Sequence, residues 1–296
     1  MAERIKSRRE ILFLYDVTDA NPNGDPLDEN KPRIDEETMV NIVTDVRLKR
    51  TVRDYWDRYK GLEVFIKEIR KQDGTLETKE ERFGSFNNDP REVLKRCIDI
   101  RCFGATTAVG EKTFTFTGPV QFKFGRSLHR VDLTFVKGTT VMPSGAERER
   151  GTFTERYILP YSLIAFYGVV NENTAEAQDI ELTDEDVNLL LEAIWFGTKN
   201  LLTGSKAGQM PRLLLYIVHK PGYSHIGELD RRLKIESDVE DEKLRDISQI
   251  SLNTELLLKA LEDHKEGIEG IYYKIDERLK VIPEDFFALP LQPLPF

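Results

Sequence analysis

Residues 11–30 read ILFLYDVTDANPNGDPLDEN, and the fold turns on whether this acidic loop is entered from a helix or from a strand. Asp19, Asn21, Asn23 and Gly24 occupy positions one, three, five and six of an EF-hand calcium loop, a template that closes on a bidentate Glu at position twelve. Here the twelfth position is Asn30. Pro22 and Pro26 stiffen a segment that would have to curl around its ion. The preceding Ile11–Asp16 alternates in the manner of a strand and not of an entering helix. The reading is therefore a strand followed by a Pro/Asn/Gly turn, with no metal site.

The chain has 296 residues, more than one average domain, and its apolar fraction of 40% supports a real core. No window approaches the uninterrupted apolar run of about 18 residues that crosses a membrane. The opening MAERIKSRRE leads straight into the first strand without a signal-peptide apolar region. These features predict a cytoplasmic protein with no membrane partner. Cys97 and Cys102 are too few for a disulfide framework or a zinc site, and a reducing compartment fits them. His129, His219, His225 and His264 have no metal-ligand spacing and are given no catalytic role.

The net charge of −9 excludes a protein that coats nucleic acid with its whole surface. The charge is unevenly distributed, however. Residues 95–137 carry eight Lys/Arg against three Asp/Glu, whereas 171–296 carry fourteen against twenty-five. A basic strip on an acidic protein suits a confined polyanion groove, and ordinary solvated charge gives the same count.

Beyond the first strand, Thr44 is placed as a helix N-cap, with Val46, Leu48, Val52, Tyr55 and Trp56 forming an apolar face through Asp57. Residues 61–90 are polar, broken by Asp73-Gly74, and read as an inserted excursion. A short helix is expected over 90–101, strands over 120–125 and 131–137, and a protruding hairpin over 137–157 turning at Pro143-Ser144-Gly145. Residues 159–170 return to the core. A helix from Thr183 to Asn200, a strand buried on both faces over 212–219, a helix over 253–264 and a strand over 268–275 complete the pattern. No internal repeat is present. Strand, helix, paired strands, helix and strand in this order are what an α+β, split β-α-β or ferredoxin-like sheet with insertions produces.

Three segments could meet a polyanion. Arg47 and Arg50 share one face of the first helix and Lys49 and Arg53 a neighbouring one, so their heads can follow a phosphate backbone; a solvated helix face looks the same. The loop 203–212, TGSKAGQMPR, has glycines that let backbone N–H groups approach phosphate, with Lys206 and Arg212 adding charge. It lacks the Walker spacing. Phe122-Lys-Phe-Gly-Arg-Ser127, which includes Arg126, interleaves aromatic and basic residues as base-stacking surfaces do, although alternate Phe residues are also ordinary core. Asp16, Asp19, Asp25, Asp28 and Asp35 could hold a metal or cleave RNA, and Asp is equally a common turn residue.

The segments 16–35 (DVTDANPNGDPLDENKPRID), 44–54 (TDVRLKRTVRD), 99–105 (DIRCFGA), 118–127 (GPVQFKFGRS), 158–168 (ILPYSLIAFYG) and 192–217 (EAIWFGT, then TGSKAGQMPRLLLYI) occur in this order. Together they resemble the repeated backbone subunit of type I CRISPR interference (Cascade) complexes. That is the seventh Cas protein family of the RAMP superfamily, and the likeness is closest to its I-B and I-C forms and covers nearly the whole chain. The resemblance implies a modified RNA-recognition palm (residues 1–60, 91–136 and 158–296), fingers inserted over 61–90 with an extension toward 110, and a thumb hairpin over 137–157. It implies that NPNGDP, with Asn21 and Asn23, is a palm turn brought close to RNA. Arg33, Arg47, Lys49, Arg50 and Arg53 would hold guide phosphates, joined by Ser205, Lys206, Gln209 and Arg212 on the second loop and by Arg126. Met142 at the thumb tip would wedge between bases.

The function implied is non-enzymatic and needs no cofactor. Several copies line one CRISPR RNA, leave its bases free to pair with target DNA, and work beside other Cascade subunits in antiviral defence. Two other readings stay open: an RNA-cleaving subunit of the type III kind using Asp28 or Asp35, and a monomeric single-stranded RNA binder.

Overall fold

The first strand, β1 (Arg9–Ala20), is longer than its apolar run and is buried along almost its whole length. In the computed structural model, which describes residues 3–109, 112–139, 153–284, 286 and 290–296, β1 is paired on both edges and covered on both faces. Phe13, Tyr15 and Val17 enter one apolar cluster and Leu12 and Leu14 the other. The alternation in the sequence therefore separates two cores, where most antiparallel strands separate core from water.

The chain continues through the short strands β2 (Gly24–Asp25), β3 (Lys31–Pro32), β4 (Ile34–Asp35) and β5 (Val40–Val43) into helix α1 (Asp45–Lys60). Next come α2 (Lys79–Gly84), α3 (Pro90–Arg96), α4 (Ile98–Phe103) and the hairpin β6 (Gly104–Val109) and β7 (Lys112–Thr117). The chain re-enters the main sheet at β8 (Val120–Phe122), β9 (Gly125–Arg130), β10 (Thr134–Thr139) and the 18-residue β11 (Phe153–Val170). The remainder comprises α5 (Glu172–Ala177), α6 (Asp184–Lys199), β12 (Gln209–His219), β13 (Lys234–Glu236), β14 (Ser251–Asn253), α7 (Glu255–Asp263), β15 (Ile268–Ile275), β16 (Lys280–Ile282) and β17 (Leu291–Pro293).

The main sheet runs β17-β15-β12-β1-β11-β9-β5-β4, with β8 and β10 also paired to β11. Its central pairs are antiparallel. Helices α1 and α6 cover one face. Leu48, Val52 and Trp56 from α1 meet Leu190, Leu191 and Ile194 from α6 in the same cluster, and the Trp56 indole donates to the Leu189 carbonyl at 3.0 Å. The other face is covered by α7 and the small sheet β13-β14-β16. The result is a mixed α+β fold built on one large sheet.

Several sequence expectations are corrected. The single helix over 90–101 is two, because Cys97 is extended (φ −101°, ψ 110°). The break turns α4 so that the fully buried Asp99 accepts from the backbone amides of Phe65 (2.8 Å) and Ile66 (3.1 Å) and pairs with Arg53. The strands placed at 120–125 and 131–137 are β8, β9 and β10. Hydrophobic alternation misses β9 because its inward positions include Ser127 and His129, whose side chains accept the backbone amides of Asn41 (2.9 Å) and Leu163 (3.1 Å). Val46, assigned to the buried face of α1, is 64% exposed. The arms of the expected hairpin pair from Thr134↔Ile158 to Thr139↔Phe153; Met142 and the turn at 143–145 lie outside the described residues.

The β6–β7 hairpin is attached where the chain crosses itself tightly. Gly104 has φ +68°, and a Cβ there would lie 2.1 Å from the Phe116 carbonyl oxygen. A Cβ on Gly118 would lie 2.0 Å from the Phe103 carbonyl carbon. Only glycine meets both demands.

Two acids bound the row of β1 that faces the C-terminal layer. Glu10, wholly buried, accepts from Tyr167 Oη (2.7 Å) and the amides of Ile226 and Gly227 (2.8 Å each), and pairs with His219 Nε2 at 2.7 Å. Burial pushes its pKa up, and these hydrogen bonds outweigh it, holding the carboxyl below its ordinary range. At the other end Asp16 pairs with Arg212 at 2.9 Å, and Arg212 also contacts Asp276. Leu14 faces Leu213 and Tyr15 faces Pro211, so Arg212 is the extra residue of a bulge in β12. Replacing Arg212 by Ala should leave Asp16 buried without its partner and cost about 3–5 kcal/mol of stability in urea unfolding. A loss near zero would show that the pair does not hold these strands.

Candidate nucleic-acid interface

Three chain segments converge beyond the ends of β1 and β12. The turn after β1 is tied to the loop before β12 by the Asn21 amide on the Ser205 carbonyl (2.9 Å), the Thr18 amide on the Gly208 carbonyl (3.1 Å), and Lys206 Nζ on the Asn21 carbonyl (2.5 Å). Gly208 has φ +98°, and a Cβ there would stand 2.4 Å from the Thr18 carbonyl oxygen, so this approach requires glycine. Asn23 joins the same turn to the start of α1, its Oδ1 accepting from the Thr44 amide (2.8 Å) and hydroxyl (2.9 Å). Thr44 is the N-cap by position, but its hydroxyl serves Asn23 and caps nothing.

Charge at this junction is unbalanced. Arg47 is half-buried and donates to Thr51 Oγ1 at 2.9 Å. Lys206 has its pKa pulled down to about 8, by burial first and then by the positive charge of Arg47. Arg156, exposed on β11, donates to the Gly204 carbonyl at 3.0 Å. Among the described residues none of these three cations has an ion-pair partner. Asn21 Oδ1 and Gln209 Nε2 are buried without hydrogen-bond partners in the same region. Uncompensated cations and an unsatisfied donor together form a site that an anion completes.

The other candidate residues divide into distinct groups. Ser205, Lys206, Gln209, Asn21, Asn23 and Arg47 are brought together. Arg33 pairs with Asp25 (2.6 Å) in a part-buried position and Arg50 with Asp54 (2.8 Å) at the surface. Lys49, Arg53 and Arg212 do not present open cationic heads. Lys49 pairs with Asp45 at 2.9 Å and lies over the Phe103 ring, Arg53 is buried against Asp99 at 2.9 Å, and Arg212 is the buried bulge residue. Their helix and strand faces turn toward α4 and the C-terminal layer, a direction that helical spacing alone does not give. Arg126 stands beside Ala165 on the sheet face away from α1. Met142 lies outside the described residues.

Arg156 was missed because only the long-range course of β11 carries it over the 203–208 loop. The next residue, Tyr157, donates to Glu29 at 2.9 Å and stacks beneath Lys31, so the hairpin root touches both loops. The turn's carboxylates are themselves engaged, Asp25 with Arg33 and Asp28 with Lys31. Among the described residues no three His, Cys, Asp or Glu side chains gather as a metal site.

A family model, CRISPR-associated protein Cas7, matches residues 7–255. A CRISPR-associated protein Cas7 from Haloferax volcanii is 31% identical over 305 residues, covering 93% of this chain and 88% of its own. A chain of a CRISPR RNA-guided surveillance complex in a pre-nicking state shares the fold at TM-score 0.55 and 13% identity, over 93% of this chain and 95% of that one. A second, from a CRISPR RNA-guided surveillance complex, matches at 0.53 and 16%, over 94% and 95%.

The depressed pKa of Lys206 makes two effects of pH measurable. Between about 8 and the ordinary lysine value the unfolded chain holds a proton that the folded chain has released. Stability of the free protein should therefore rise with pH across that window. A polyanion needs the ammonium, so affinity for a short oligonucleotide, read by fluorescence anisotropy, should fall across the same window. Lys206→Gln should weaken binding at pH 7 and flatten both profiles; an unaltered profile would remove Lys206 from the site.

Proposed function

The chain belongs to the Cas7 family of CRISPR-associated proteins, and from that premise we propose that it is the CRISPR RNA-binding backbone subunit of a type I interference complex, closest to subtypes I-B and I-C. Copies assemble along one guide, bind its backbone without reading sequence, and present its bases to target DNA beside other Cascade subunits. The observation that carries this reading is the set of three cations without carboxylate partners, Arg47, Arg156 and Lys206, at one junction of a chain whose net charge is −9.

In this reading the large sheet and α1 form an RNA-recognition-like palm, the excursion after α1 forms the fingers, and the β10–β11 hairpin begins the thumb, with Met142 at its tip. Phosphates lie against Arg47, Lys206 and Arg156, with Ser205 and Gln209 alongside. Arg50 can exchange its surface carboxylate for phosphate at little cost, since exposed pairs contribute under about 1 kcal/mol, and Arg33 would have to leave the part-buried Asp25. Lys49, Arg53 and Arg212 support the fold instead. The subunit works in the cytoplasm and is not an enzyme. The rival RNA-cleaving reading would draw on Asp28, paired with Lys31 at the surface, or on Asp35, which accepts the amides of Glu37 (3.2 Å) and Thr38 (3.4 Å).

Light scattering on the chain mixed with guide RNAs of two lengths should show mass growing by whole subunits as the RNA lengthens. One copy at both lengths would identify a monomeric RNA binder. Cleavage of complementary RNA that Asp35→Ala abolishes would establish the enzymatic reading. Arg47→Gln, Arg156→Gln and Lys206→Gln should each reduce the slope of log affinity against log salt, by about 0.7 for every phosphate no longer neutralised. Deleting 141–150 should leave the fold intact and impair assembly between copies.

A further inference from the structure

The aromatic-basic run at 122–127 does not belong to the junction just described. Phe122 opposes Gly168 and Arg126 opposes Ala165, so between β8 and β9 one extra residue bulges from the sheet edge. Phe122 turns into the core, whereas Phe124 is left 52% exposed. The face it occupies is the one away from α1, and there a groove of about 480 Å³ opens. Its walls include Lys123, Phe124, Arg126, Leu128, Ala165 and Arg231. One carboxylate, Asp230, lines it too and pairs with Lys123 at 3.1 Å. Arg126 and Arg231 reach Asp35 and Glu228, which do not line the groove, only at 3.5 Å, with side chains 52% and 71% exposed.

We infer that this groove is a second contact for single-stranded nucleic acid, taking one base on the Phe124 ring and the flanking phosphates on Arg126 and Arg231. A phenyl ring exposed between cations has the chemistry of a stacking platform: the ring meets the π-face of any base, and the cations follow the backbone. The small Ala165 leaves room beneath the ring. The long, exposed ion pairs of Arg126 and Arg231 give way readily to phosphate. The groove and the Arg47–Lys206 junction lie on opposite faces of the sheet, so a strand held here is not the segment held there. The contact is sequence-tolerant, since nothing in it reads a base edge.

The test is photocrosslinking of the full chain to a short oligothymidine carrying 5-iodouracil, with the attachment site mapped by mass spectrometry. Attachment at Phe124 is expected in the parent chain and in the Arg47→Gln/Lys206→Gln variant. It should fall roughly tenfold in Arg126→Gln/Arg231→Gln, and in the Arg47→Gln/Lys206→Gln background Phe124→Ala should lower oligothymidine affinity roughly tenfold. Phe124 is exposed, so its alanine variant should keep the parent's thermal midpoint. Attachment confined to the 203–209 loop would overturn this groove and leave the guide-binding reading standing. No attachment at either place would overturn both. Unchanged oligothymidine affinity for Phe124→Ala in the Arg47→Gln/Lys206→Gln background, or a variant that loses only assembly between copies, would show that the groove holds something other than nucleic acid.

Discussion

The architecture depends on burying two carboxylates of β1 opposite partners that offset the cost, although Asp16 keeps one oxygen, Oδ1, without a hydrogen bond. Glu10 and Asp16 lie at the two ends of a row whose middle is Leu12 and Leu14, all facing the C-terminal layer. A charge in that position costs several kcal/mol unless it is paired and hydrogen-bonded, so each acid dictates what must stand opposite it. Glu10 requires the His219 ring and the amides of Ile226 and Gly227, which fixes the chain just beyond β12. Asp16 requires Arg212, which can reach it only because β12 bulges there. The bulge sets where β12 begins, and with it the placement of Gln209, Gly208 and the loop that meets the Asn21 turn.

The chain therefore uses its cations in two ways. Arg53, Arg82 and Arg212 neutralise acids or cover rings inside the fold: Arg53 fastens α1 to α4, and Arg82 lies over Phe86 while donating to the Val64 carbonyl at 2.7 Å. Arg47, Arg156 and Lys206, which have no acidic partner among the described residues, meet where α1, the hairpin root and the 203–208 loop converge. On an acidic protein this arrangement restricts attraction to short range. A polyanion is repelled by the surface as a whole and held where it reaches local groups of cations such as these.

Much of this was legible in the sequence. The strand character of residues 11–16, the bounds of α1 and α6 to within a few residues, and the two-sided burial of β12 follow from periodicity and caps. Lys206 was identifiable because a glycine-rich loop marks backbone that approaches something closely, whereas Asn21 and Gln209 entered through the family resemblance. Arg53 and Lys49 misled because helical spacing says which residues share a face and not what that face meets. Ser127 and His129 hid β9, since a buried polar side chain whose partner is a distant backbone amide looks like a surface residue in one dimension. Arg156 carried no local signal, because its role is set by an 18-residue strand delivering it to a loop about fifty residues away.

The paired glycines at 104 and 118 have an evolutionary consequence. Where the chain leaves α4 and where it comes back to enter β8, the two backbones touch without side chains between them. The hairpin leaves and returns at that crossing, and beyond it packs back on the main cluster through the buried Phe114, which meets Phe65 and Phe83. A hairpin attached in this way can change length beyond its core-facing Phe114 while the sheet keeps its register. Natural variation in the length of the family should therefore concentrate beyond this crossing, and the glycines that make it should persist where the segment they carry does not.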